Sequence, residues 1–334
     1  MGAPGQRRAA NVRDYLREFL DAPYRRLMTP FLTGMNESFG RDTQLKRLLS
    51  ALEKSEIRGE TVLDDPAFKR VMRRVGALLR GQESAYDKTA EQAANVSIDV
   101  AGRLTKILSG ATSASLAAEW NVPSIDAVRG AIGYLHDRDA LGETVSAVWK
   151  GIVQDAKNRI QGRVLADLAA GKNALTAART LRRELPGLTA AAANNALRTL
   201  YLESYRSATA IHQSANADML SHVVRIGTLD SRICMACLAL HGTRMEVGER
   251  VESHHQCRCT SIAVVKGVAR RIETGEDYFG RLPEVDQRRL MGKGAWELWQ
   301  RGEVQLADFV ETYDSAVYGK MIRQATLKEL RTGR

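Results

Sequence analysis

The stretch that decides how this chain is read is Thr228-Leu229-Asp230-Ser231-Arg232-Ile233-Cys234-Met235-Ala236-Cys237, then Leu240-His241-Gly242, then His254-His255-Gln256-Cys257-Arg258-Cys259. It contains all 4 cysteines of the 334 residues. A Cys-x-x-Cys turn lets two thiolates bind one ion from a single tight loop. His254 and Cys257 share the short spacing that a second such loop uses. Cys234 and Cys237, joined by His254 with Cys257 or by Cys257 with Cys259, complete a tetrahedral donor set. Zinc suits mixed nitrogen and sulfur ligands. Four protein ligands leave no position for water, so such a site folds a module rather than catalysing a reaction.

Two other readings stand beside this one. The thiols can be buried and free, with a histidine making hydrogen bonds, or they can form oxidised pairs. Between His254 and His255 the ligand is left open. Cys259 ranks last of the five candidates, on the expectation that it and Cys257, two apart on a strand, point to opposite faces.

Around this stretch, between Val223 and Val265, short β-prone pieces (Val223 to Ile226, Met245 to Val247, Thr260 to Val265) alternate with Gly227, Gly242 and Gly248. The segment looks too small and polar to bury much core, so it needs a staple, and structural zinc supplies on the order of 10 kcal/mol. The expected fold is mainly α with a small β-containing Cys/His zinc module, α+β overall. The expected division is a helical region 1–140, long helices 141–222, the Cys/His module 223–267 and a helical segment 268–334.

Upstream the chain reads almost wholly as helix. Asp65-Pro66 is a start signal, a capping residue with proline at the first helical position. Phe68, Val71, Met72, Val75 and Leu79 then share a face, and Gly81 ends the helix. A second start lies at Asn121-Val122-Pro123-Ser124. Val145, Val148, Ile152, Ala156, Ile160, Val164 and Leu168 mark a long helix that Gly171 closes. A short helix from Leu175 to Leu185 is expected to break at Pro186-Gly187, with Thr189 capping the next. Downstream, Leu282-Pro283-Glu284 opens a helix closed by Gly292, and Trp296 and Trp299 are core anchors on the next, which ends at Gly302. A final helix is expected after Leu306-Ala307-Asp308.

The net charge is +10, which suggests a polyanionic neighbour. Lys69, Arg70, Arg73 and Arg74 on one helix, with Arg182 and Arg183 on another, are the candidate phosphate contacts; a solvated outer face is the plainer reading. No apolar run reaches the ~18 residues of a membrane span, and the first residues lack the apolar stretch of a secretory signal. The expectation is a protein made and used in a cytoplasm.

At the cysteines the sequence resembles the Mu F-like domain of phage head-morphogenesis proteins. The likeness is carried by Asp230, Arg232, Cys234, Cys237, Leu240, Gly242, His254, Cys257, Arg258 and Cys259. It extends to the helix through Arg198, Glu203, Ala208 and Gln213, and to Thr274–Phe279 with Leu282-Pro283, spanning about residues 145 to 312. The resemblance implies a minor structural protein of a tailed-phage head, not an enzyme, acting in head morphogenesis and in DNA packaging or ejection. It implies the portal protein and the major capsid or scaffold proteins as partners, with non-specific contact to packaged double-stranded DNA and none to membrane. Such a protein assembles in the host cytoplasm and resides in the virion head. The alternatives are a metal-dependent nuclease, a toxin-delivery module and a cellular DNA-binding zinc protein.

Overall fold

The computed structural model describes residues 16–54, 63–109, 119–170, 172 and 174–332. After a π-helical turn Leu16–Asp21 come α1 (Ala22–Arg41), α2 (Thr43–Glu53), α3 (Pro66–Arg80), α4 (Glu83–Ser109), α5 (Ile125–Ala131), α6 (Arg138–Ala169) and α7 (Ala174–Ser214). The remainder alternates: β1 (Leu220–Ile226), α8 (Met235–Ala239), β2 (Arg244–Met245), β3 (Thr260–Val265), α9 (Gly275–Gly280), α10 (Glu284–Met291) and α11 (Lys293–Gln300). A 3-10 turn Leu306–Phe309, β4 (Val310–Ser315), β5 (Gly319–Gln324) and α12 (Leu327–Thr332) complete it. The chain is mainly helical with small sheets, an α+β protein. No described helix is long and apolar enough to cross a membrane.

The chain forms two compact units that cut it differently from the sequential division expected above. One takes the described parts of Met1–Pro23, Ala94–Asp137 and Tyr201–Arg334; the other takes Tyr24–Ala93 and Arg138–Leu200.

Among its described residues the second unit is built of helices. Asp65 caps α3 as expected, its carboxylate accepting from the Ala67 and Phe68 amides at 2.7 and 3.1 Å. The predicted face of α3 is buried, from Phe68 through Val75 to Leu79. On α6 the buried apolar positions among the described side chains are Leu141, Val145, Trp149, Ile152, Ala156, Ile160 and Val164. Trp149, packed 4.6 Å from the Tyr86 ring centroid, takes the place expected of Val148, which is only half-buried. The Leu168 side chain and Gly171 fall outside the described residues.

The expected break at Pro186 does not occur: α7 runs through it. Proline removes one amide from the helix ladder. Here the Thr189 hydroxyl, expected to cap a new helix, instead donates to the Leu185 and Pro186 carbonyls at 3.1 and 2.9 Å. Leu181, Leu185, Ala193 and Leu197 are buried on either side, so packing of the face outweighs the local defect.

The first unit holds the sheets. β1 lies between β2 and β3, antiparallel to both, with Val223 opposite Met245 and Ala263. The final helix expected after Asp308 is a single 3-10 turn, and a hairpin follows, with Tyr313 opposite Met321. The module is also not short of core. Ile233, Met235, Leu238, Cys237, Cys257 and Cys259 share a buried cluster with Phe279, Met291, Leu298, Phe309 and Ile322, so residues after Gly267 supply the hydrocarbon that 223–267 lacks. Trp296 and Trp299 pack against this cluster, half-buried.

Candidate metal centre

Two tight loops bring the donors together. In the first, Cys234 caps α8 and its sulfur accepts from the Cys237 amide at 3.3 Å. In the second, the Cys257 amide donates back to the His254 carbonyl at 3.0 Å across Gln256, which takes φ 60 to close the turn. The Cys259 amide then donates to the Cys257 sulfur at 3.4 Å. Amides aimed at sulfur favour the thiolate, the form that binds metal.

The His254 Nε2 lies 3.2 Å from the Cys234 sulfur and 3.3 Å from that of Cys237, and the Cys237 and Cys257 sulfurs are 3.4 Å apart. Bonds of about 2.3 Å to sulfur and 2.0 Å to nitrogen place tetrahedral neighbours about 3.8 Å (S to S) and 3.5 Å (S to N) apart. Each of these three contacts is therefore a few tenths of an ångström shorter than around an ion, and the donors fall into two groups of mutual neighbours rather than one. Cys234, Cys237 and His254 form one group that could hold a metal ion, and Cys237, Cys257 and Cys259 form another, sharing Cys237. Cys257 and Cys259, two apart on an extended segment, face the same way rather than opposite ways, and both sulfurs belong to the second group. His255 is exposed and contributes only its carbonyl, which lies 2.8 Å from His254 Nδ1; that contact orients the His254 ring.

Crowding redistributes the protons. Hydrogen bonding from Cys237, and then from His254, pulls the Cys234 thiol down to about 5. Burial pushes the His254 imidazole down, but its contacts with Cys234 and Cys257 outweigh this and raise it to about 10. Hydrogen bonding from Cys237, helped by the Arg206 charge, holds Cys257 well below the usual thiol range.

A charged network clamps the second loop. Glu203, fully buried on α7, pairs with Arg206 at 2.9 Å and with Arg250 at 2.6 Å, and accepts from the Ser253 hydroxyl. Arg206 reaches the Cys259 carbonyl at 2.9 Å and also donates to that of Cys257. Sequence reasoning missed these roles. The signal was present, because Glu203 and Arg206 are charges on a helix face otherwise buried through Leu200, Leu202 and Ala210.

The motif residues outside the donor set have work of their own. Arg258 grips Asp230 with two bonds of 2.6 and 2.7 Å, tying the first loop to the second, and this holds the Asp230 carboxyl at about 2. His241 Nδ1 accepts from the Gly227 amide at 2.8 Å. Gly242 has φ +83, and a Cβ there would lie 2.9 Å from the Glu273 carbonyl oxygen.

Glu249 and Glu252, the carboxylates nearest in sequence, are engaged elsewhere, with the Glu246 amide and with Lys320 at 3.1 and 3.0 Å. Compared with family models, curated proteins and solved structures, the chain matches none.

The candidate phosphate contacts are not brought together as one free surface. Lys69 pairs with Asp64 at 2.9 Å, Arg74 with Asp42 at 3.1 Å, Arg182 with Glu53 at 3.0 Å and Arg183 with Glu184 at 3.4 Å. Arg70 and Arg73 are exposed and have no acidic partner among the described residues. Residues 24–93 and 138–200 carry 23 Lys and Arg against 15 Asp and Glu, while the rest of the chain carries 26 against 24. Most of the net charge therefore belongs to the helical unit.

Proposed function

We propose that Cys234, Cys237, His254 and Cys257 hold one structural zinc ion, and that this stapled module is the Mu F-like part of a minor head protein of a tailed phage. The observation that carries the reading is the convergence of three sulfurs and one imidazole nitrogen, from two loops, within 3.2 to 3.4 Å contacts. Mixed sulfur and nitrogen donors in a tetrahedral set are the chemistry of zinc. Bound there, the ion would supply cohesion between the loops; the residues of the chain do the rest, as Arg258 joins loop to loop and Glu203 with Arg206 fixes the second loop to α7.

A structural role is favoured over hydrolysis by the donor set itself. Catalytic zinc keeps one open position beside a general base, whereas here Cys237 and His254 link four donors from two loops and the nearby carboxylates are tied to other partners. An independent C-terminal effector is disfavoured because Phe279, Met291, Leu298, Phe309 and Ile322 share one core with the module. The phage assignment rests on the motif residues, now with physical roles: Asp230 and Arg258 as a paired tie, Gly242 as a left-handed turn. Portal, capsid or scaffold proteins are its proposed partners. A basic helical unit suits a DNA-filled shell, with Arg70 and Arg73 as contacts that have no acidic partner among the described residues.

Elemental analysis of the purified chain tests the first half: about one zinc per chain is expected, with loss of the metal in Cys257→Ser. A wild-type chain free of metal after growth in zinc-replete medium overturns it. Co-expression with the portal protein encoded in the same genome tests the second half, and absence from the resulting portal or procapsid fractions refutes the assignment.

A further inference from the structure

Arg225 lies on β1 between the two loops. Its amide donates to the Thr243 carbonyl and its carbonyl accepts from the Gly242 amide, both at 2.9 Å, and across the sheet it faces Ser261, two residues beyond Cys259. Only 3% of the residue is exposed. Its Nη1 donates to the Glu252 carbonyl at 2.6 Å, but Nε and Nη2 have no acceptor among the described residues. A guanidinium cannot shed its charge, so a buried one needs a counter-charge. The other arginines of the region have theirs: Arg206 and Arg250 share Glu203, and Arg258 holds Asp230. Among the described residues no carboxylate pairs with Arg225. The groups whose fields favour its charge are the sulfurs of Cys259, Cys237 and Cys257, opposed by the like charge of Arg206.

Three thiolates around a divalent ion leave a net negative complex, itself buried and itself in need of compensation. The two unmet requirements match. We infer that Arg225 is the buried counter-charge of a metal–thiolate complex at this site, stabilising its anionic form without itself being a ligand. The inference rests on the metal reading above and deepens it. Arg225 is a positioning residue: it makes the pocket selective for a complex carrying excess negative charge, that is, for a thiolate-rich ligand set over a neutral one. With the ion absent, the Arg225 guanidinium has only the Glu252 carbonyl to receive it among the described residues. Metal loading and closure of the module are thereby coupled.

The test is zinc affinity of the full chain, by competition with a chromophoric chelator, for wild type, Arg225→Met and Arg225→Lys. Cobalt-substituted samples are read in parallel, since sulfur-to-metal charge-transfer intensity follows the number of thiolate ligands. Arg225→Met is expected to weaken zinc binding by about 10–100-fold, while Arg225→Lys, which keeps the charge, recovers most of the loss. All three should give the same cobalt spectrum, because the ligands are unchanged. Equal affinity in wild type and Arg225→Met overturns the inference, as does Arg225→Lys being no tighter than Arg225→Met. A wild-type chain that binds neither ion overturns the metal reading itself, a distinguishable failure. Arg225→Gln, polar and uncharged, repeats the comparison if Arg225→Met lowers the helix content by circular dichroism.

Discussion

Replacing Asp230 by Asn removes one charge and keeps the shape, and the structure says what that should cost. The carboxylate takes two bonds of 2.6 and 2.7 Å from Arg258, and the two side chains are 15% and 17% exposed. This pairing lowers the carboxyl from 3.8 to about 2. At 1.36 kcal/mol per unit, and discounted for screening at a partly open site, the pair is worth about 1–2 kcal/mol. The sign is fixed by the direction of the shift. The contribution is present in full above the unfolded value of 3.8 and is lost as the pH falls toward about 2. Hydrogen exchange of the β1 and β3 amides isolates the module from the helical unit, and protection there should drop about 5–30-fold in Asp230→Asn at neutral pH. In a double-mutant cycle with Arg258→Met, the second substitution should add little to the first. Effects that sum to within about 0.5 kcal/mol would refute the reasoning, because independent sites behave that way.

Two further outcomes are expected. Gly275→Ala should destabilise the module by about 2 kcal/mol or more, since its Cβ would meet the Leu238 carbonyl oxygen at 1.7 Å, whereas Gly280→Ala, with nothing within 4 Å, should be near neutral; thermal unfolding checks both. Arg70→Gln with Arg73→Gln should weaken double-stranded DNA binding uniformly across sequences and flatten its salt dependence by about two phosphate contacts, and an unchanged slope refutes their role.

Much of this molecule was legible in the sequence where local chemistry decides the outcome. Asp65 caps the helix it was expected to cap, and the start expected at Asn121–Ser124 is present with Ser124 as the cap, because a short polar side chain before a helix has one strong local option. The donors were legible too, since cysteine spacing constrains geometry directly. What escaped was decided by tertiary context. Pro186 is tolerated because flanking leucines are buried. The hairpin at 310–324 carries only a weak alternation of half-buried and exposed residues, so nothing in Val310–Ser315 announces a strand. Glu203, Arg206 and Arg225 escaped for the opposite reason: charged residues are assigned to the surface by default, and only the fold shows them enclosed.

The C-terminal hairpin has a consequence for biosynthesis. The Ile322 amide donates to the Ser253 carbonyl and the Gln324 side chain receives the Met235 amide, each at 2.9 Å. These brace both cysteine loops, yet they leave the ribosome dozens of residues after Cys259. Throughout that interval the nascent thiols stand without their lid, exposed to oxidants and to mispairing with one another. Early capture of an ion by the emerging loops would close that window before translation ends.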